Sequence, residues 1–257
     1  MRRLDILVKP PLKRSAIEAI KIIDEGGYEA VFLNLPRCLQ PYIDGLTELG
    51  DLDDFMKTAQ ERPNLNESYL AALLRGHEDF LRLLPRVALT KDIICYVPNP
   101  TGEEIQTYLE LPSLILRDSL TGAVSTSRWI EIVEKMRLSS NRKAEMEAEF
   151  LARETMCYGA AVCLTEPEAA VGLKRLLQTR VHTKIIYTAL PYAFTPLQTL
   201  LRTIRNRPPT ISEIEQHAKK HIHFVKNYII PFGLEEGLEK WTETQLRWLM
   251  GPPGQKK

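Results

Sequence analysis

Short uninterrupted apolar runs alternate along the chain with longer stretches in which apolar residues recur every three or four positions, predicting strands and helices by turns. Leu4 to Val8 reads as a first strand, broken by Lys9-Pro10-Pro11. Ser15 is placed to cap a helix from Ala16 to Asp24. Glu18, three positions on, completes a capping box, and Ile17, Ile20 and Ile23 form the apolar stripe. Gly26-Gly27 ends that helix, and Ala30-Val31-Phe32-Leu33 is the continuous apolar run of a strand buried on both faces. Strand, crossover helix and strand at this spacing predict a right-handed parallel pair.

Residues 40–86 read as helices with loops, the clearest helix being Leu65 to Leu84 with Leu70, Leu73, Leu74, Phe80 and Leu81 near one face. Ile93 to Val97 is a third strand, closed by Pro98-Asn99-Pro100. Between 100 and 125 the pattern is mixed, and Pro112 and Gly122 mark loops. Trp129 to Met136 reads as one helix, Asn141 to Cys163 as a longer charged one, and Glu166-Pro167-Glu168 as the start of another. Lys184 to Leu190 is a late strand. Thr195 to Ile204 is a helix stopped by Arg207-Pro208-Pro209, and Ile211 to Tyr228 is a helix with Ser212 and Glu215 at its start. The expected fold is α/β, a mostly parallel sheet flanked by helices. The expected organisation is a single domain over 1–257 with a helical insertion at about 40–90 and a frayed tail at 250–257.

Composition narrows the class. A 44% hydrophobic and 26% charged chain is that of an ordinary globular protein, and no stretch reaches the length of an apolar membrane span. The start of the chain lacks the apolar run of a secretory signal, so an intracellular, cytoplasmic protein is expected. Cys38, Cys95, Cys157 and Cys163 form no CxxC pair, so neither a zinc site nor a disulfide framework is expected. Plentiful Arg and Pro with scarce Asn and Gln are compatible with a heat-loving source.

Charge changes the picture more. The net charge of +1 hides a polarity: the 44 residues between Glu168 and Glu213 hold no Asp or Glu and seven Lys or Arg. Extended to Lys226, this stretch has ten bases against two acids, whereas residues 24–110 have sixteen acids against seven bases. Lys174, Arg175, Arg202, Arg205, Arg207, Lys219 and Lys220 are the candidate contacts to a polyanion, nucleic acid first among them. The same arc also fits an acidic protein surface or a homo-oligomer contact.

Catalytic motifs are sparse. No GxGxxG or GxxxxGK[ST] loop is present, which excludes the corresponding nucleotide sites by motif, and no cofactor is expected. His217 and His221 are spaced for one helix face, but no acid stands between 216 and 230 and Lys219-Lys220 repel a dication, so no metal is expected. In Gly76-His77-Glu78-Asp79 consecutive helical residues do not face one another, so no dyad follows. Strand C-terminal ends are where an open α/β sheet binds ligands, which nominates Lys9, Asn34 and Arg37, with Tyr192 and Thr195 at the late strand's end.

Three segments resemble the TraB/ChaN/erythromycin-esterase-like (TIKI) superfamily. Tyr28 to Arg37 looks like its second strand, Arg153-Glu154-Thr155-Met156 like its arginine-containing helix, and Lys184 to Leu201 like its late strand and following turn. The resemblance implies an α/β fold with its hydrolytic residues replaced. Lys9-Pro10 stands in place of a histidine, Asn34 in place of a glutamate, and Tyr192 or a neighbour in place of a late histidine. Arg153 alone matches. The expected role is therefore a non-catalytic binding protein of an anionic partner. The alternatives are a protein–protein scaffold, or a hydrolase or nuclease with a site at the strand ends built from Lys9, Asn34, Arg37, Arg153 and Tyr192.

Overall fold

The computed structural model describes residues 2–49, 52–60 and 66–247. The expected tail at 250–257 and the expected helix start at Leu65 lie outside them. The chain clusters into two compact units, residues 1–109 with 139–189, and residues 110–138 with 190–257.

The first unit is built on five parallel strands: β1 (Arg3–Val8), β2 (Ala30–Pro36), β3 (Asp92–Val97), β4 (Ala160–Thr165) and β5 (His182–Tyr187), in the order β3-β2-β4-β1-β5. The α/β class expected from the alternating periods is the observed one. Each strand runs into a proline within four residues of its end: Pro10, Pro36, Pro98, Pro167 and Pro191. A residue without an N–H cannot extend a ladder, so these prolines set one common edge.

Side chains alternate between two cores, as a doubly covered parallel sheet requires. Leu7, Val31, Leu33, Cys95, Val162 and Leu164 pack on one face against α1 (Lys13–Glu25), α2 (Gln40–Leu49), α4 (Glu67–Arg75), α5 (Glu78–Leu83) and α6 (Pro85–Ala88). Leu4, Ile6, Phe32, Tyr96, Ala161 and Cys163 pack on the other against α8 (Thr126–Glu154) and α9 (Ala170–Leu177). The helix α3 (Leu52–Gln60) adds Leu52 and Phe55 to the first of these cores.

β4 is the element the sequence pattern concealed. Asn141 to Cys163 reads as one helix because its alanines are strong helix formers. In the structure α8 ends at Glu154, a single tight turn covers Thr155–Cys157, and the chain turns into the sheet at Gly159. A Cβ there would lie 2.7 Å from Oε1 of Glu29, which accepts the Gly159 N–H through Oε2 at 3.1 Å. At its other end α8 joins the helix expected at 129–136 to the part of the one expected at 141–163 that precedes Thr155, and α7 (Gly102–Thr121) runs through Pro112 where loops were expected. The helix expected from Leu65 to Leu84 is broken at Gly76-His77 into α4 and α5.

The expected caps also moved. Ser15 lies inside α1, buried, with its hydroxyl 2.5 Å from that of Thr188, and Glu18 accepts the Ala189 N–H at 2.7 Å. Both side chains are used to hold the end of β5, so neither caps the helix. Asp5 is fully buried in β1, where it accepts the Tyr28 hydroxyl at 2.7 Å and pairs with Arg3 and Lys184.

The second unit is helical. Leu114, Trp129, Ile132, Val133, Leu200, Ile204, Ile214 and Ala218 form its core, from the end of α7, the start of α8, α10 (Pro196–Thr203) and α11 (Ile211–Phe224). The Asp118 carboxylate accepts the Ser125 N–H at 2.8 Å, the Ser125 hydroxyl at 2.7 Å and the Trp129 indole N–H at 2.9 Å. Thr210, not Ser212, caps α11, in a capping box with Glu213. A π-helical turn over Val225–Ile229 leads into α12 (Ile230–Gln245), which is kinked at Gly233 (φ 76°, ψ −178°). Among the described residues no helix is long and apolar enough to cross a membrane.

Candidate functional site

The strand order fixes where the first unit can hold a ligand. From β1 the chain passes to β2, beyond β4; from β4 it passes to β5, beyond β1. The adjacent strands β1 and β4 thus send their connections to opposite edges, and the crevice outside their C-terminal ends is the position open α/β sheets use for ligands.

Two titratable side chains stand there. Lys9 follows β1 and Glu166 follows β4, the two ends being tied by the Lys9 N–H to the Thr165 carbonyl at 2.9 Å. Lys9 is only 6% exposed; its ammonium donates to the Gly76 carbonyl at 3.2 Å and lies 6.0 Å from the centre of the Phe80 ring. Burial lowers its pKa to about 8, and Glu166 and Asp79 hold it from falling further. Solvent touches Glu166, yet enough protein surrounds it for desolvation to raise its pKa, against a hydrogen bond to Glu168 and the charges of Lys9 and Lys143. His77 is half-buried in the α4–α5 break, its pKa lowered to about 3 by burial and then by Lys9, so its imidazole is neutral. Tyr69 and Tyr108, ring centres 5.3 Å apart and edge to face, complete the surroundings, and burial raises both their pKa values, that of Tyr69 to about 12.

This arrangement brings an amine with a lowered pKa beside a carboxyl with a raised one. An amine at about 8 is about one-tenth unprotonated at pH 7, roughly 300-fold more than an ordinary lysine. Beside it stands a carboxyl whose pKa is raised by desolvation and which is hydrogen-bonded to a second carboxyl, the direction of shift that suits a general acid. Among the described residues no group of three or more His, Cys, Asp or Glu is placed to hold a metal ion.

Of the residues nominated for a ligand pocket, Lys9 is in this crevice. Asn34 lies in β2 at the irregularity between Leu33 and Pro36. Arg37 and Arg153 stack over the same ring, that of Phe150, at 5.0 and 5.3 Å, and Arg153 also pairs with Glu154 at 2.9 Å. Tyr192 and Thr195 belong to the second unit. There Thr195 caps α10 and the Tyr192 hydroxyl donates to Gln198 at 3.0 Å, while the Tyr192 and Phe194 rings pack edge to face. Both Thr195 and Tyr192 thus have partners within their own unit.

The basic candidates divide between the units. Lys174 and Arg175 lie on α9 of the first; Arg202, Arg205, Arg207, Lys219 and Lys220 lie in the second. Arg207 is held by both carboxylate oxygens of Glu213, Arg202 lies over Phe194 at 4.9 Å, and Arg205 also has an interaction partner. Lys219 and Lys220 are exposed on α11. Of the histidines, His221 is buried against Trp129 and Phe224, with burial lowering its pKa to about 4, and His217 bonds its own helix at Glu213, so the pair is used in packing.

Glu166 and His77 were not nominated by the sequence as site residues. Glu166 was hidden with β4, and His77 becomes meaningful only once α4 breaks beside Lys9. No protein-family model, characterised protein or solved structure matches this chain.

Proposed function

We propose that the protein is an acid–base enzyme acting on a small polar molecule in the crevice at the C-terminal ends of β1 and β4. The observation that carries this reading is the meeting of the buried Lys9 amine with the Glu166–Glu168 carboxyl pair at the reversal of strand order. Lys9 in its amine form accepts a proton from the bound molecule or from water; Glu166 in its acid form donates one to the departing group. Tyr69, Tyr108 and Phe80 supply apolar surface beside them. A hydrolase with a site at the strand ends is the enzymatic alternative that the sequence offered, and the hydrolytic class is the first to be assayed.

The test is a panel of small esters, amides and phosphoesters, measured for turnover and by ligand-detected NMR. Lys9→Met and Glu166→Gln are expected to abolish turnover or binding while the circular dichroism spectrum is kept. Activity that needs the Lys9 amine should rise with pH through about 8, and activity that needs the Glu166 acid should be lost as pH climbs through its raised pKa. Turnover undiminished in both variants sinks the proposal.

A second reading keeps nucleic acid as the partner, with the protein acting as a binding module. It is favoured by Lys219, Lys220 and Lys226, exposed on consecutive helical turns without an acidic partner among the described residues. Fluorescence anisotropy with single-stranded RNA at two salt concentrations tests it. Binding that falls steeply with salt and is lost in the Lys219→Glu, Lys220→Glu double variant is expected. A mass in solution that changes with salt, without nucleic-acid binding, points instead to the protein–protein alternative.

A further inference from the structure

At the opposite end of the sheet from the crevice, the N-terminal ends of β1 and β5 open into a depression of about 530 Å³. Its walls include Arg2, Lys174, Arg180 and His182, with Thr183 and Met156 between them, and no acidic residue is among the residues that line it. The contrast with the neighbouring position is informative. Arg3 is consumed by the Gly26 carbonyl at 3.1 Å and by the buried Asp5 at 3.5 Å. Arg2, Lys174 and Arg180 have no such partner among the described residues.

Three cations lining one concavity give it a positive potential that favours an entering anion. Guanidinium groups on two sides suit the oxygens of a tetrahedral anion, which they can engage by paired N–H donors. Thr183 adds a hydroxyl that is shielded from solvent and has no hydrogen-bond partner in the protein. Met156, half exposed on one wall, offers apolar surface to the remainder of a ligand. The volume falls inside the range of about 300–1,000 Å³ usual for small-molecule sites.

We propose that this depression is a binding site for a phosphomonoester or diphosphate group, gripped by Arg2, Lys174 and Arg180. It is independent of the crevice and uses only one of the basic residues nominated from the sequence, Lys174. The phosphate can belong to a free mononucleotide or to the phosphorylated end of a nucleic acid, and the experiment separates the two.

The full chain is titrated calorimetrically at low salt with pyrophosphate, AMP, and an oligonucleotide carrying either a 5′-phosphate or a 5′-hydroxyl. At least one phosphate probe is expected to bind, and Lys174→Glu and Arg180→Glu are each expected to weaken it by about tenfold or more. Arg86→Glu, exposed on α6, should leave it unchanged. Arg180→Ala, at an exposed position, repeats the test with a milder change should either reversal disturb folding. Preference for the 5′-phosphorylated oligonucleotide over AMP assigns the phosphate to a nucleic-acid end, and the reverse assigns it to a mononucleotide. Absence of binding by every probe at millimolar concentration, or equal binding by all depression variants, overturns the proposal.

Discussion

Replacing Lys9 by Met should make the protein more stable at neutral pH, and by an amount that depends on pH in a defined way. Lys9 is buried, and burial brings its pKa from 10.5 to about 8. Below pH 8 the folded chain holds a desolvated ammonium that the unfolded chain holds in water, and the full penalty applies, about 3 kcal/mol from the 1.36 kcal/mol per pKa unit. Between pH 8 and 10.5 the unfolded state still binds the proton and the folded state does not, so stability rises with pH. Above 10.5 neither binds it and the penalty is gone. Methionine has a similar volume and no charge, but it cannot donate to the Gly76 carbonyl, a loss of about 1 kcal/mol. The variant should therefore be roughly 2 kcal/mol more stable at pH 7. At pH 10.5 it should be about 1 kcal/mol less stable. Urea unfolding of both proteins at pH 7, 8, 9 and 10 gives the difference directly, and groups common to both cancel. A stability difference that stays constant over this range would refute the reasoning, because it would mean that Lys9 keeps an ordinary pKa in the fold.

Two further outcomes follow from the second unit. Asp118→Ala removes the acceptor of three hydrogen bonds and leaves the Trp129 indole N–H and Ser125 N–H unpaired, at an expected cost of about 3 kcal/mol in urea unfolding. Burial alone would raise the Asp118 pKa, but these donors outweigh it and the pKa is lowered. The part of its contribution that depends on the charge is thus full above the ordinary carboxylate range and lost as pH falls through the lowered folded value, so the gap between wild-type and variant stabilities should narrow in acid. Gly233→Ala places a side chain at φ 76°, ψ −178°, a conformation close to glycine-only, and should cost about 1–3 kcal/mol in thermal unfolding. An unchanged midpoint would show that the kink in α12 relaxes freely.

Legibility in the sequence followed from how each element announces itself. β1, β2, β3 and β5 could be read because each is an apolar run closed by proline. β4 begins with alanines and follows a long charged helix, so the helical period carried straight over it. That omission had a cost for function: without β4 there is no reversal of strand order beside β1, and Glu166 looks like the first turn of a helix. Lys9 was visible from the first strand alone. The capping signal at Ser15 misled because its hydroxyl serves a tertiary contact with Thr188, and the one at Ser212 because Thr210, two residues earlier, takes the cap. Charge counting located Lys174 and Arg180 in an acid-free stretch, but only the folded chain brings them together with Arg2 and His182.

The position of β1 in the sheet has a consequence for how the chain is made. Its two neighbours are β4 and β5, so once made it has no partner in this sheet until residue 160 emerges. At about 5–20 residues per second, that is a wait of roughly 8–30 s for a segment with an almost wholly apolar run. Meanwhile β2 and β3 can pair and collect the helices between them. β4 then arrives as the keystone, joining the β2–β3 half to β1 and letting β5 close the far edge. A nascent chain stopped short of Ala160 should therefore be a client for chaperones, because the first unit cannot close its sheet before β4 and β5 are made.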